Sequence, residues 1–252
     1  MSKGYFAPSV RKAFEILKLI GSSRGGVGVS EIARDLKMAK STVHGMTSAL
    51  KDLGVIKRDP STKKYTLGVT LFELGRRAYS QADFKNVARP VMEWLMEKTQ
   101  ASVFLGVLNW DHVTVVDIVE SKNDLKITSP IGTTIPVLAG AVGKVFLAEM
   151  EEEQAIRLIK SRGLVSYTKN SVTDPAKYLE EIRAARARGY ATDDEEYILG
   201  VWAVAAPIRG WSHLRSAIWA VGFKASLDEK KMEAFAKYTK EAAEAINRKI
   251  QE

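Results

Sequence analysis

Along the first eighty residues apolar side chains recur at the three- and four-residue steps of helices, and glycine-bearing turns break them up. Residues 10–22 bring Val10, Ala13, Phe14, Leu17 and Ile20 towards one face, and the glycines of 21–28 interrupt that pattern. Ser30 predicts an N-cap for a short helix over 31–36, with Ile32, Ala33 and Leu36 inward. A third helix is predicted over 41–53, where Val43, Met46, Leu50 and Leu53 share a side and Gly54 closes the end. Its opposite side carries Lys40, Ser41, Thr42, His44, Thr47 and Ser48. The segment VIKRDPSTKKYTLG then reads as a two-stranded hairpin turning at Asp59, Pro60 and Ser61. Residues 70–81 place Leu71, Leu74 and Ala78 on one face and predict a linking helix whose apolar stripe suits a second copy of the chain or its own domain.

The pattern changes beyond Pro90. A helix is predicted over 91–98, followed by the strands ASVFLGVLN and HVTVVDIVE about a turn at Trp110 and Asp111. Further strands are predicted over 189–192, 201–208 and 216–223, and helices over 142–150, 152–160 and 175–188. The last helix has Asp174 as its N-cap, Pro175 in its first turn and Gly189 beyond its end. A closing helix starts at Ser226, which pairs with Glu229 as a capping box. The expected fold class is therefore a two-domain α+β or α/β chain: a winged helix-turn-helix over 1–68, a linker and dimerisation helix over 69–83, and a mixed sheet flanked by helices over 84–252.

Composition narrows the function classes. With 46% hydrophobic and 27% charged residues the chain has the balance of a globular protein, and zero cysteines exclude disulfides and thiolate chemistry. No apolar run is long enough to span a bilayer and the opening residues do not form a signal peptide, so a cytoplasmic location and no membrane partner are expected. The net charge of +8 is unevenly placed: residues 1–80 hold 15 Lys and Arg against 6 Asp and Glu, leaving 23 against 24 beyond. Such a concentrated cationic segment fits a phosphate-binding module. Lys57, Arg58, Lys63 and Lys64 flank the hairpin turn as a wing, while the short side chains of the third helix can approach phosphates and base edges. Double-stranded operator DNA is the implied partner. His44, His112 and His213 show no metal-ligand spacing, no Gly-x-Ser-x-Gly elbow is present, and LAGAVGK departs from a P-loop at Leu138 and Val145. No catalytic residue, metal or cofactor is therefore assigned, and an enzyme built on the second domain stays as the alternative.

The block SEIARDLKMAKSTVHGMTSALKDLGVIKRD followed by KYTLG resembles the IclR family of bacterial regulators, with Lys40, Ser41, Thr42, Val43 and His44 matching its recognition helix. GYATDDEEYILGVWAVAAPI matches the family signature at Gly189, Asp193, Glu196, Ala203, Val204, Ala205 and Ile208, and PVLAGAVGKVFLA resembles its pocket loop. Two departures stand out: Gly45 replaces a long basic residue, and Arg209 and Gly210 replace an aromatic and an Asp or Asn. The resemblance implies a GAF-like effector-binding domain, a homodimer or dimer of dimers, and a small organic acid effector touching Gly140, Ala141, Val142, Asp193, Val201, Ala203, Trp219 and Val221. At the last three of the family's contact positions Ala203, Trp219 and Val221 replace small polar side chains, so an aromatic or otherwise apolar carboxylate is expected. Helix-terminal amides at 140–142 suit such an anion, although close loop packing would use the same small residues and Trp219 would serve equally as core.

Overall fold

The computed structural model describes residues 7–80, 84–209 and 214–251, and the chain divides into two compact units, Met1–Gln81 and Ala82–Glu252. In the first, helices α1 (Pro8–Ser22), α2 (Val29–Asp35) and α3 (Lys40–Asp52) precede an antiparallel hairpin of β1 (Ile56–Arg58) and β2 (Tyr65–Leu67), then α4 (Val69–Ser80). Ile16, Ile20, Val27, Ile32, Ala33, Val43, Ile56 and Tyr65 form the core. Each large aliphatic side chain so enclosed contributes about 1.5–3 kcal/mol. Val27 exchanges two backbone hydrogen bonds with Tyr65, at 3.0 and 2.9 Å, which ties the α1–α2 connection to the hairpin. A Cβ at Gly68 would lie 2.1 Å from the Gly54 carbonyl oxygen, so only glycine lets the end of β2 close on the turn after α3.

Local details of this unit differ from expectation. On α1 it is Ile16 and Ile20 that are buried, whereas Val10 and Phe14 are 56% and 60% exposed. A helix apolar over much of its circumference does not say which face will dock, and here the partner elements select the Ile16 side. Ser30 lies inside α2, because the Glu31 carboxylate reaches back to accept the Gly28 N–H at 2.7 Å and starts the helix earlier. Leu53 is exposed just past the end of α3 instead of joining its inner face.

The second unit opens with α5 (Phe84–Thr99), a longer helix than expected because Pro90 sits within it. One six-stranded sheet follows, in the order β5 (Thr134–Pro136), β4 (His112–Val119), β3 (Ser102–Asn109), β8 (Ser216–Phe223), β7 (Val201–Ile208) and β6 (Ala191–Asp194). Every pairing is antiparallel, which corrects the mixed sheet expected and places the unit among α+β folds. The short β5 had no signal of its own, since three residues are too few for a period to register. The α5 helix and the closing α9 (Glu229–Gln251) pack together against one face, where Trp202 meets Phe235 edge-on at 5.7 Å. On the other lie α6 (Gly140–Ala148), α7 (Glu152–Arg162) and α8 (Pro175–Arg188). Because both faces are covered, β7 and β8 are nearly continuous apolar runs.

The α8 ends are as expected: Asp174 accepts the Lys177 N–H at 2.8 Å and Gly189 adopts φ +82°. The closing helix is capped differently. Ser226 ends a 3-10 turn, Lys224–Ser226, and Asp228 takes over the cap by accepting the Lys231 N–H at 2.8 Å. Residues 81–83 of the expected linker and 210–213 of the turn after Arg209 lie outside the described residues.

Candidate functional site

Two sites emerge, one in each unit. On α3 the expected reader residues Lys40, Ser41 and His44 are exposed, while Thr42 and Ser48 are half-buried along the same flank. Thr47 must be withdrawn from this set. It is fully buried and its hydroxyl donates to the His44 carbonyl at 3.1 Å, one turn back, so it braces the helix instead of reaching outward. Gly45 lies on the exposed side with nothing near the position of a Cβ, so the missing side chain is a gap on the surface and not a packing requirement.

At the hairpin tip, Asp59 accepts hydrogen bonds from Ser61 and Thr62 through both backbone and hydroxyl groups, at 2.6–3.0 Å. These bonds, led by the Ser61 hydroxyl, hold its carboxyl well below the usual carboxylate range. Lys63 has φ +59° and donates to the Pro60 carbonyl at 2.6 Å, and Arg58 donates to the Lys63 carbonyl at 3.3 Å while lying over the Tyr65 ring. Lys64 is 3.7 Å from Glu31. The wing cations therefore shape the hairpin as well as charge it. Lys57 alone of the four has no such partner among the described residues.

In the second unit all eight residues named for effector contact line one cavity of about 230 Å³. Its floor is the sheet: Phe104, Val201, Ala203, Trp219 and Val221. Trp219 is only 4% exposed and stacks on Phe104 at 5.5 Å with the rings 9° from parallel, and the ring lies where a Cβ on Gly106 would come within 2.7 Å. Thus Trp219 is core and cavity wall together, and space remains beside it. The opposing wall comes from the segment leading into β5 and the start of that strand and was not anticipated: Ile127, Thr128, Ser129, Thr133 and Thr134. Thr128 donates to Glu120 and Thr133 to the Pro130 carbonyl, which leaves Ser129 and Thr134 as the hydroxyls of that wall without such bonds among the described residues.

One end of the cavity is the start of α6, whose N-cap Ala139 supplies no side-chain acceptor for the first-turn amides. Gly140 there has φ +58°, and a Cβ on it would fall 2.4 Å from the Asp193 carboxylate, so glycine is required twice over. Gly143 answers the other reading of these small residues: a Cβ on it would meet the Val137 carbonyl at 2.5 Å, so close packing governs that position. Asp193, 5% exposed, accepts the Glu196 N–H at 2.7 Å and the Tyr197 N–H at 3.4 Å on Oδ1. Burial pushes its carboxyl up from the ordinary range, against those two hydrogen bonds and the nearby Lys144.

Lys144, in the middle of α6, which is buried from Ala141 to Ala148, is itself 1% exposed. Its ammonium donates to the Thr192 carbonyl at 3.0 Å and Glu196 at 2.5 Å, and pairs with Glu181 of α8. Burial also raises the Glu196 carboxyl. This triad fixes the turn that carries Asp193 to the two helices beneath it. Its signal in the sequence was a single cation inside GAVGKVFLA, since a charge in an apolar helix must find buried partners.

A cationic winged helix-turn-helix joined in one chain to a sheet domain with a cavity is the make-up of a DNA-binding transcriptional regulator. The family profile described as IclR helix-turn-helix domain matches residues 9–60, and that described as bacterial transcriptional regulator IclR C-terminal matches residues 76–248. The chain belongs to the IclR family of transcriptional regulators. It is 36% identical over 197 residues, covering 78% of this chain and 70% of the relative, to the HTH-type transcriptional regulator BhcR of Paracoccus denitrificans. Among solved structures it is similar to an IclR transcriptional regulator from Alicyclobacillus acidocaldarius, with 28% identity, 98% and 100% of the two chains covered and a TM-score of 0.81. An IclR homolog from Microbacterium hydrocarbonoxydans, complexed with 4-hydroxybenzoate, shares the fold at a TM-score of 0.79 and 23% identity, over 96% and 99% of the chains. These relatives are regulators, and the enzyme alternative has no support among them.

Proposed function

We propose that this regulator binds operator DNA in a manner set by a small organic acid of aromatic or otherwise apolar body, held in the cavity at the start of α6. The observation that carries the reading is the cavity's lining: Trp219 stacked on Phe104, with Val201, Ala203 and Val221 beside it, gives a flat apolar floor. An engineered apolar cavity of roughly 150 Å³ accepts benzene, and this one is about 230 Å³. Removing an apolar ligand face from water here gains about 25 cal/mol per Å². That a structural relative was solved with 4-hydroxybenzoate accords with this class.

The reader surface on this reading is Lys40, Ser41, Thr42, His44 and Ser48 of α3 together with Lys57, Arg58, Lys63 and Lys64 of the wing. The exposed apolar side chains Val10 and Phe14 of α1 and Val69, Phe72 and Leu74 of α4 invite cover by a second copy, so that a dimer or pair of dimers presents two readers to a palindromic site. Such a protein works in the cytoplasm, where the operator is. Sequencing the duplex fragments retained by the purified protein, with and without benzoate, 4-hydroxybenzoate or glyoxylate, tests the proposal. An altered fragment population with the aromatic acids is expected, whereas a response to glyoxylate alone would overturn the effector class.

A further inference from the structure

The effector cavity offers an anion no cation. Among the described residues none of the Lys, Arg or His side chains lines it, and its one charged group is Asp193. The nearest ammonium, Lys144, lies beneath Asp193 and is already held by Glu196, Glu181 and the Thr192 carbonyl. Asp194 pairs outward with Lys224 at 2.5 Å, and the phenols facing this corner, Tyr178 of α8 and Tyr197 stacked edge-on against Tyr167, supply no positive charge. The seat that would otherwise attract an anion, the uncapped start of α6, abuts the Asp193 Oδ2 oxygen at Gly140. That oxygen has no hydrogen-bond donor among the described residues, unlike Oδ1. A carboxylate arriving there meets a carboxylate.

Resting on the effector class proposed above, we infer that an organic acid enters this cavity together with one proton, which is held between its carboxylate and the Asp193 carboxyl. The atoms balance simply: the proton comes from solvent, and the two carboxyl groups then share it in one hydrogen bond, as closely placed acids do. Burial, which already favours the neutral form of Asp193, lowers the cost of this uptake. The sign follows from linkage, because the complex binds one more proton than its parts. Effector affinity therefore falls as pH rises, by about tenfold per unit once free Asp193 is ionised, and whatever the effector does to operator binding becomes sensitive to acidity.

Calorimetric titration of the full chain with 4-hydroxybenzoate in buffers of low and high ionisation heat, between pH 6 and pH 8.5, reads the proton directly. Uptake of about one proton per ligand is expected, with an Asp193→Asn variant binding without uptake and with a flat pH profile. Benzenesulfonate, whose acid stays ionised, should still draw in a proton with the wild-type protein, and this arm does not depend on the variant folding. Binding of the carboxylate without uptake, or uptake with the carboxylate but not with the sulfonate, overturns the inference and leaves the effector class standing. If neither aromatic acid binds at any pH, the effector class itself has failed and the inference falls with it.

Discussion

On α3 the polar side chains Lys40, Ser41 and His44 stand in solvent, whereas in the sensor unit Asp193, Lys144 and Glu196 are enclosed by protein. The first group, on the proposed reading, works only when DNA arrives and has few obligations to its own fold. The second is tied into the fold by hydrogen bonds and ion pairs among its own members and the backbone around them. Solvent screens the charges of the reader and makes them adjustable, while burial makes those of the sensor interdependent. Substitutions on the reader should therefore change binding and spare stability, and those in the sensor should change both.

The sharpest test of this contrast is Lys144→Met. It would leave Glu196 and Glu181 without their shared cation, and a loss of about 3–5 kcal/mol in the unfolding free energy of the sensor unit is expected by urea denaturation. Adding Glu181→Gln and Glu196→Gln should recover part of that loss, because the neutral triple no longer buries unpaired charge. An unchanged urea midpoint in the single variant would break the comparison.

On the reader, His44→Ala should weaken operator binding on the order of tenfold relative to random duplex, at unchanged thermal midpoint, measured by fluorescence anisotropy. Lys57→Gln should weaken all duplexes alike and lower the salt slope by about 0.9. Within the same helix Thr47→Val separates the two regimes once more. Because Thr47 is buried and bonded to the His44 carbonyl, we expect a stability change of about 1 kcal/mol and no loss of base selectivity. The smallest effect is expected at Gly45→Ala, which fills open space on α3 and should stabilise the helix by roughly 0.5–1 kcal/mol in thermal melts.

How far each region was legible beforehand follows the same division. The wing turn, the exposed polar flank of α3 and the α8 caps depend on neighbours a few residues apart, and local pattern carried them. Thr47 was misplaced because a helical wheel around Val43 and Met46 does not reveal how wide a stripe the core will cover, and here the stripe takes in the next position. The α1 face was misread in part for a related reason, with apolar residues available on two sides: Ile16 and Ile20 are wholly buried and Leu17 and Leu19 pack at the margin, while Val10 and Phe14 stay exposed. The eight cavity residues were named from family resemblance. No local pattern announces that strands more than a hundred residues apart, β3 and β8, will place Phe104 under Trp219.

What the sequence determined alone is the charge division, the order of helices, hairpin and the longer strands, and the small residues at 140–143, since each rests on residue type and near spacing. The tertiary structure decided which helix faces are hidden, that the sheet is antiparallel throughout, that Thr128, Ser129, Thr133 and Thr134 wall the cavity, and that one buried lysine answers two carboxylates from different elements. The physical reason is range: propensity and capping act within a turn or two, whereas burial and the energy of a buried charge depend on every element that closes around it.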